Sequence, residues 1–250
     1  MEQFELNKIY NMDCLEGMKM IPDGSVDAII CDLPYGTTSC AWDTIIPFDK
    51  LWEQYKRVIK DRGPIVLFGS QPFTAKLVVS NIDGYKYDWI WDKKRSSNPQ
   101  LANVQPLKNY EVISVFGKGK GGIIYKPQGL VKLAVGRKDK GNTAGETLGH
   151  FKRKSGYISE WTNFPKAILQ YEVEADRFHP TQKPVDLIRY LVRTYTNEGD
   201  TVLDNCMGSG TTAIACIKEN RNYIGFEMNK EYYDKSLKRI EAETNQLKLF

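Results

Sequence analysis

Apolar positions follow two alternating rhythms along this chain. Short, nearly uniform apolar runs at Val26–Cys31, Ile65–Phe68, Thr201–Leu203 and Tyr223–Phe226 read as strands buried on both faces, and Lys8–Tyr10 is a shorter one. Between them lie stretches with helical spacing: Leu15–Met20, Phe48–Lys60, Phe73–Val79 and the charged run Lys230–Glu243. After Pro184, apolar residues Leu187, Ile188, Leu191, Val192 and Tyr195 recur at three- and four-residue steps, with the proline tolerated in the first turn. This βαβ rhythm predicts an α/β fold, a parallel sheet with helices on both faces. Two further runs, Tyr87–Trp91 and Val112–Phe116, are placed to pair antiparallel. From Gly117 to Asp176 the rhythm breaks into Gly- and Lys-rich sequence with short apolar runs such as Ile123–Tyr125, and this reads as an insertion. The chain is thereby divided into 1–116, 117–176 and 177–250.

Charge sharpens that division. Residues 117–166 hold 11 Lys and Arg against 3 Asp and Glu, a net +8, while the rest of the chain is net −4. A basic patch on an acidic body fits a polyanion, nucleic acid before membrane, because no amphipathic apolar face accompanies it. A solvated lysine-rich loop is the plainer alternative. The 250 residues suffice for one large domain or a domain with an insertion, and their composition is that of a soluble globular protein. Neither a run of 18 apolar residues nor a signal-peptide layout is present, so a cytoplasmic location is expected. The five cysteines form no C-x-x-C pair and only His150 and His179 could join them, so neither a disulfide framework nor a metal site is expected.

Two loops carry the candidate chemistry. Asp204-Asn205-Cys206-Met207-Gly208-Ser209-Gly210-Thr211-Thr212 leaves a strand and enters a helix that includes Ala213, Ile214 and Ile217. Its glycines allow a tight turn and close ligand approach, and the helix amides point at whatever binds there. The next strand ends at Glu227, close to the spacing at which an acid holds ribose hydroxyls, so the pair describes a nucleoside-bearing cofactor site. A turn cap and a solvated strand end would look the same. The Walker lysine is missing, which disfavours ATP in a P-loop. Asp32-Leu33-Pro34-Tyr35 follows the strand Val26–Cys31, where open α/β sheets place active sites. An ordinary β-turn is one reading. The other starts from an exocyclic base amine, whose lone pair is delocalised into the ring. The Asp32 carboxylate and the Leu33 carbonyl can each accept one N–H and direct the lone pair out of plane, Pro34 stiffens the turn, and Tyr35 offers a stacking face.

These residues resemble the S-adenosylmethionine-dependent amino-DNA methyltransferases, which act on adenine N6 or cytosine N4. Asp32-Leu33-Pro34-Tyr35 is similar to their catalytic D-P-P-Y, Asp204–Thr212 to their cofactor loop D-P-F-x-G-S-G-T-T, and His179-Pro180-Thr181-Gln182-Lys183-Pro184 to their H-P-T-Q-K-P. The opening Tyr10–Leu15 with Ser25-Val26-Asp27 also has the family look. The resemblance implies a Rossmann-like class I methyltransferase sheet in the circularly permuted order of the β class, starting with the third strand and ending with the first two. It implies catalytic roles for Asp32, Leu33, Pro34 and Tyr35. It implies S-adenosylmethionine contacts from Asp13 (to the adenine), Cys14, Thr181, Lys183, Asp204, Cys206, Gly208, Gly210, Thr211, Thr212 and Glu227. On this reading 1–116 is the catalytic part, 117–176 the DNA target-recognition region and 177–250 the cofactor-binding part. Asp first and Tyr last in the catalytic loop lean toward adenine N6. Leu33 replaces a proline, which leaves the carbonyl intact. Asn205 and Cys206 replace Pro and Phe, which is expected to loosen packing around the cofactor's methionine portion. No Pro-Cys pair occurs, disfavouring carbon-5 cytosine methylation.

Duplex DNA is the expected partner, with a flipped base as acceptor. Lys93, Lys94 and Arg95, and Lys152, Arg153 and Lys154 in the insertion, are the candidate phosphate contacts. The terminal Gln246-Leu247-Lys248-Leu249-Phe250 resembles the Q-L-x-L-F peptide that docks on the bacterial sliding clamp, although an apolar end tucked against its own core is the reading the residues favour. A homodimer is compatible with the sequence, as is a restriction partner. Three other functions fit parts of the pattern: an N4-cytosine enzyme, a catalytically silent nucleic-acid-binding module, and a nicotinamide dehydrogenase, the last lacking a second nucleotide-binding half.

Overall fold

The computed structural model describes residues 4–37, 43–138, 158–175 and 177–247. Two compact units result, one formed by Met1–Lys126 with Ala167–Phe250 and the other by Pro127–Lys166. In the larger unit, β1 (Lys8–Tyr10) leads to α1 (Cys14–Lys19), β2 (Ala28–Asp32), α2 (Phe48–Val58), β3 (Ile65–Gly69), α3 (Phe73–Ser80), β4 (Tyr85–Ser97) and β5 (Lys108–Phe116). The smaller unit holds β6 (Val131–Lys138) and β7 (Ile158–Thr162) as an antiparallel ribbon, Val131 facing Thr162 and Lys138 facing Ile158. The chain then adds β8 (Ile168–Gln170), α4 (Val185–Tyr195), β9 (Thr201–Asp204), α5 (Thr211–Lys218), β10 (Asn222–Phe226) and α6 (Lys230–Leu247).

The main sheet runs β1-β10-β9-β2-β3-β5-β4-β8. It is parallel from β1 through β3, antiparallel at β3·β5 and β5·β4, and parallel again where β8 joins β4. The first strand thus lies outside the last two, which is the permuted class I arrangement. From β9 the chain returns through α5 to β10 on one side, and from β2 through α2 to β3 on the other. The β9/β2 boundary is therefore the topological switch point, where such sheets bind ligands.

Alternation within the strands explains why both faces are covered. Ile29, Cys31, Ile65, Leu67 and Leu203 pack toward a core shared with α1, α2 and α3. Their neighbours Ile30, Val66, Phe68 and Val202 pack toward a core built on α4 and α5, including Leu187, Ile188, Leu191 and Val192. A strand sandwiched this way has no solvated side, which is why its sequence is uniformly apolar. Val26 falls outside β2 and makes an isolated bridge to Ile59.

Candidate active site

Four strand ends meet along one edge of the sheet: Asp32 closes β2, Asp204 closes β9, Glu227 follows β10, and Asp13 follows β1 as the N-cap of α1. Together they line a single cavity of about 310 Å³, into which Tyr35, Lys183 and the Gly208 loop also face. All the predicted catalytic and cofactor residues except Gly210 lie on its wall. Gly210 is instead the αL N-cap of α5 (φ 77°), where a Cβ would press on Ile240 and Ser236 at 3.2 and 3.3 Å.

The Asp32 end is built from side chains. Tyr35 Oη donates to Asp32 Oδ1 at 2.6 Å, and the Lys183 ammonium holds Oδ2. Lys183 is buried and lies 3.3 Å from Glu111 Oε2, while Lys93 Nζ pairs with Glu111 Oε1 at 2.5 Å. The result is a chain of alternating charge, Asp32, Lys183, Glu111, Lys93, in which each buried ion has a counter-ion. Among the described residues Glu111 Oε2 has no hydrogen-bond partner, so its contact with Lys183 is one of charge and not of aligned donor and acceptor. Burial works against the Lys183 ammonium, but Asp32 and Glu111 outweigh it and hold its pKa above the ordinary value. For Asp32, burial pushes the carboxyl up, with Lys183 pulling it back and Glu111 adding to the rise. Burial, then the Asp32 charge, raises the Tyr35 phenol well above its usual value, so Tyr35 remains a donor. The ring of Tyr35 packs against Phe73 with centroids 5.0 Å apart.

Behind Tyr35 the backbone turns at Gly36 (φ 65°), and Asp43 fixes the turn: its Oδ1 accepts from Gly36 N–H at 2.9 Å and its Oδ2 from Thr37 N–H at 2.8 Å. Asp43 and Glu111 were not singled out from the sequence. Glu111 had a signal, a charge directly preceding the apolar run Val112–Phe116. Asp43 had none, because an acid in a polar loop is ordinary.

The Glu227 end is built from backbone. Glu227 Oε2 accepts from Gly208 N–H at 2.8 Å and Oε1 from Asn229 N–H at 2.7 Å, while burial raises its pKa against these bonds. Asp13 uses Oδ1 to cap α1, accepting from Leu15 and Glu16 amides at 2.9 and 3.1 Å. Asp204 accepts from Thr212 Oγ1 at 2.6 Å and from Cys206 N–H at 3.1 Å, and burial lifts its pKa to about 6. Thr211 Oγ1 reaches the Lys183 carbonyl at 3.3 Å, tying the glycine loop to the His179–Pro184 segment. His179 stacks edge-on against Tyr232, and burial followed by the Lys183 charge takes its pKa down to about 4. Thr181 Oγ1 lies 3.1 Å from His179 Nδ1.

With this geometry in place, one comparison decides the family. The sequence model described as DNA methylase, N6_N4_Mtase, matches residues 26–238. The chain belongs to this family. It is an S-adenosylmethionine-dependent methyltransferase whose substrate is DNA, on a class I fold. Among its relatives, the type II methyltransferase M1.MboII of Moraxella bovis is 29% identical, with 93% of this chain and 95% of that protein covered. The DNA adenine methyltransferase YhdJ of Escherichia coli K12 is 27% identical, over 96% and 85%. The crystal structure of the M1.HpyAVI–SAM complex aligns with TM-score 0.64 at 26% identity, covering 93% of this chain and 98% of that one.

The lining suits the family's cofactor. Gln182, on the cavity wall, leaves Oε1 buried without a hydrogen-bond partner among the described residues, an acceptor for a donor brought by a ligand. Each Glu227 oxygen keeps a second lone pair beyond its backbone bond. The two departures from the family's cofactor loop have an internal use: Tyr55 Oη donates to Asn205 Oδ1 at 2.5 Å, and Asn205 Nδ2 reaches the sulfurs of Cys14 and Cys206 at 3.6 and 3.5 Å.

The basic residues predicted to meet DNA divide. Lys94 and Arg95 are exposed near the end of β4. Lys93 differs from expectation: it is turned toward Glu111 and lies 5.0 Å from the centroid of the Trp91 ring, because a strand presents successive side chains to opposite faces. Lys152, Arg153 and Lys154 lie outside the described residues. At the C-terminus α6 runs to Leu247, past the expected Glu243, and Lys248–Phe250 lie outside the described residues. Among the described residues no helix is long and apolar enough to cross a membrane.

Proposed function

We propose that this methyltransferase acts on the exocyclic N6 amine of an adenine flipped out of duplex DNA. The observation that carries the proposal is Asp32: a carboxylate at the switch point, on the cavity wall, with both oxygens held by side chains. Asp32 and the Leu33 carbonyl accept the two amine N–H bonds and turn the lone pair toward the electrophile. Tyr35 takes the ring of the flipped base on its face, worth roughly 1–3 kcal/mol, which offsets part of the few kcal/mol spent on unstacking. Pro34 offers no competing donor. S-adenosylmethionine, when bound, supplies a methyl group on a positively charged sulfur.

Glu227 would hold the ribose hydroxyls, Asp13 and Cys14 the adenine, and Asp204, Cys206, Gly208, Gly210, Thr211, Thr212 and Thr181 the amino-acid end. Lys183 is better assigned to Asp32 than to the cofactor, because its ammonium already sits between two carboxylates. Asp at the first and Tyr at the last position of the catalytic loop favour adenine over cytosine N4, and the name of the related YhdJ agrees. Lys94, Arg95 and the basic residues 117–176 would grip the DNA, those of 127–166 forming a target-recognition unit.

The test is incubation with methyl-labelled S-adenosylmethionine and mixed-sequence duplex DNA, followed by digestion to nucleosides. Labelled N6-methyladenosine is expected, with none from Asp32→Ala. Labelled N4-methylcytidine would overturn the base assignment and keep the loop.

A further inference from the structure

Three cysteines on different elements converge on the cofactor cavity. Cys14 opens α1, Cys31 lies within β2, and Cys206 is in the loop after β9, and all three line the cavity wall. Cys14 and Cys206 share one donor, Asn205 Nδ2, which lies 3.6 Å from the first sulfur and 3.5 Å from the second. Tyr55 Oη donates to Asn205 Oδ1, and in that orientation the Asn205 NH2 faces the sulfurs of Cys14 and Cys206. A donor held in that position stabilises negative charge on sulfur. Among the described residues no group of His, Cys, Asp and Glu is placed to hold a metal ion. The chemistry left to these sulfurs is with each other or with a small electrophile entering through the cavity.

We propose that Cys14 and Cys206 form a modification site, a vicinal thiol pair that a hydroperoxide converts to a disulfide, and that the bound cofactor shields it. The shielding rests on placing S-adenosylmethionine in this cavity, as proposed above. Cys14 is the attacking group: the neighbouring Cys206 thiol, and the Asn205 amide with it, hold its pKa below the ordinary value against its burial, while Cys206 is held well above its own. The Cys14 thiolate attacks one peroxide oxygen, the O–O bond breaks, hydroxide (or alkoxide) leaves, and Cys14 carries a sulfenic acid. The Cys206 sulfur then attacks the Cys14 sulfur, the S–O bond breaks, and the oxygen departs as water with the Cys206 proton. Two thiols are oxidised and one hydrogen peroxide is reduced to two waters. A disulfide requires Cα atoms roughly 4.4–6.8 Å apart, so the bond fastens the glycine loop to the first turn of α1, between Asp13 and Gly208. Cys216, on α5, does not line the cavity and is outside this chemistry.

The experiment treats the full chain with hydrogen peroxide, with and without S-adenosylhomocysteine, and maps sulfur linkages by mass spectrometry after non-reducing digestion. A Cys14–Cys206 peptide is expected, removed by dithiothreitol and absent from Cys206→Ser. S-adenosylhomocysteine at about ten times its Kd should slow its formation about tenfold. If the parent chain gives other linkages, only single sulfinic acids or no reaction, the thiol-pair proposal is overturned. If the linkage forms equally fast with S-adenosylhomocysteine shown by dialysis to be bound, the cofactor lies elsewhere and the shielding falls.

Discussion

Asp32 and Glu227 are both carboxylates at ends of parallel strands, both on one cavity wall, and both with every oxygen engaged, yet they are held in opposite ways. The partners of Asp32 are a phenol and an ammonium at the ends of rotatable side chains. Those of Glu227 are the backbone amides of Gly208 and Asn229, which move only if the loop does. Side-chain partners can be exchanged for an incoming amine, whereas backbone partners hold a group still. On the function proposed above, the difference suits Asp32 to a reacting group that arrives and leaves and Glu227 to a cofactor that must be seated the same way each time.

Removing the cation at the exchangeable end should have the largest effect. Lys183→Met leaves Asp32 without its ion-pair partner and removes one of the two cations facing Glu111, and breaking a buried pair costs roughly 3–5 kcal/mol. Urea unfolding would show that loss. Without the ammonium the Asp32 pKa rises further, so the alkaline shift of the activity's acid limb is the sign of a positioning role, and partial restoration by Lys183→Arg would separate charge from shape.

Asp204 stands between the two cases, with one backbone and one hydroxyl partner, and it carries the clearest pH signature. Its folded pKa of about 6 lies above its ordinary 3.8. The folded state therefore binds the proton more tightly, and the associated stability is complete below pH 3.8, fades as pH rises, and is gone above 6. Relative to Asp204→Asn, the parent should gain on the order of 3 kcal/mol on going from pH 7 to below pH 4. Parallel denaturant titrations of the two proteins across that range would measure it, and equal slopes would assign Asp204 an ordinary carboxyl.

Glu227→Gln tests the rigid end. A carboxamide oxygen can accept from one of the two amides, and its NH2 then confronts the other N–H, a loss of about 1–3 kcal/mol. A raised KM for S-adenosylmethionine with kcat nearly kept is expected. A fall in kcat at unchanged KM would place Glu227 at the reacting group and erase the contrast with Asp32.

Much of this was legible in the residues, for a physical reason. A strand covered on both sides must be apolar throughout, so β2, β3, β9 and β10 announced themselves, and the acids that end them stood out by contrast. β4 was only partly visible, because its second half, Lys93–Ser97, is polar. β8 was missed as a three-residue edge strand, and β6 and β7 because their apolar residues are diluted by lysine and arginine. The ion chain through Glu111 was invisible for another reason: Asp32 and Lys183 are 151 residues apart, and nothing local marks a charge whose counter-ion arrives from a distant segment.

The same contrast between held and free groups divides the lysines of β4, and yields the smallest expected effect. Lys93 is committed to Glu111 and the Trp91 ring, whereas Lys94 and Arg95 are exposed. If these two meet phosphates, Lys94→Ala with Arg95→Ala should lower the slope of log K for DNA against log salt by roughly 0.9 for each cation removed. Lys93→Ala should leave the slope alone and cost stability instead, since it strips Glu111 of one of its two cations. Filter binding at several salt concentrations, beside denaturant unfolding, reads both quantities. A slope change from Lys93→Ala would mean that the Glu111 pair opens on DNA, joining the phosphate grip to the charge chain that ends at Asp32.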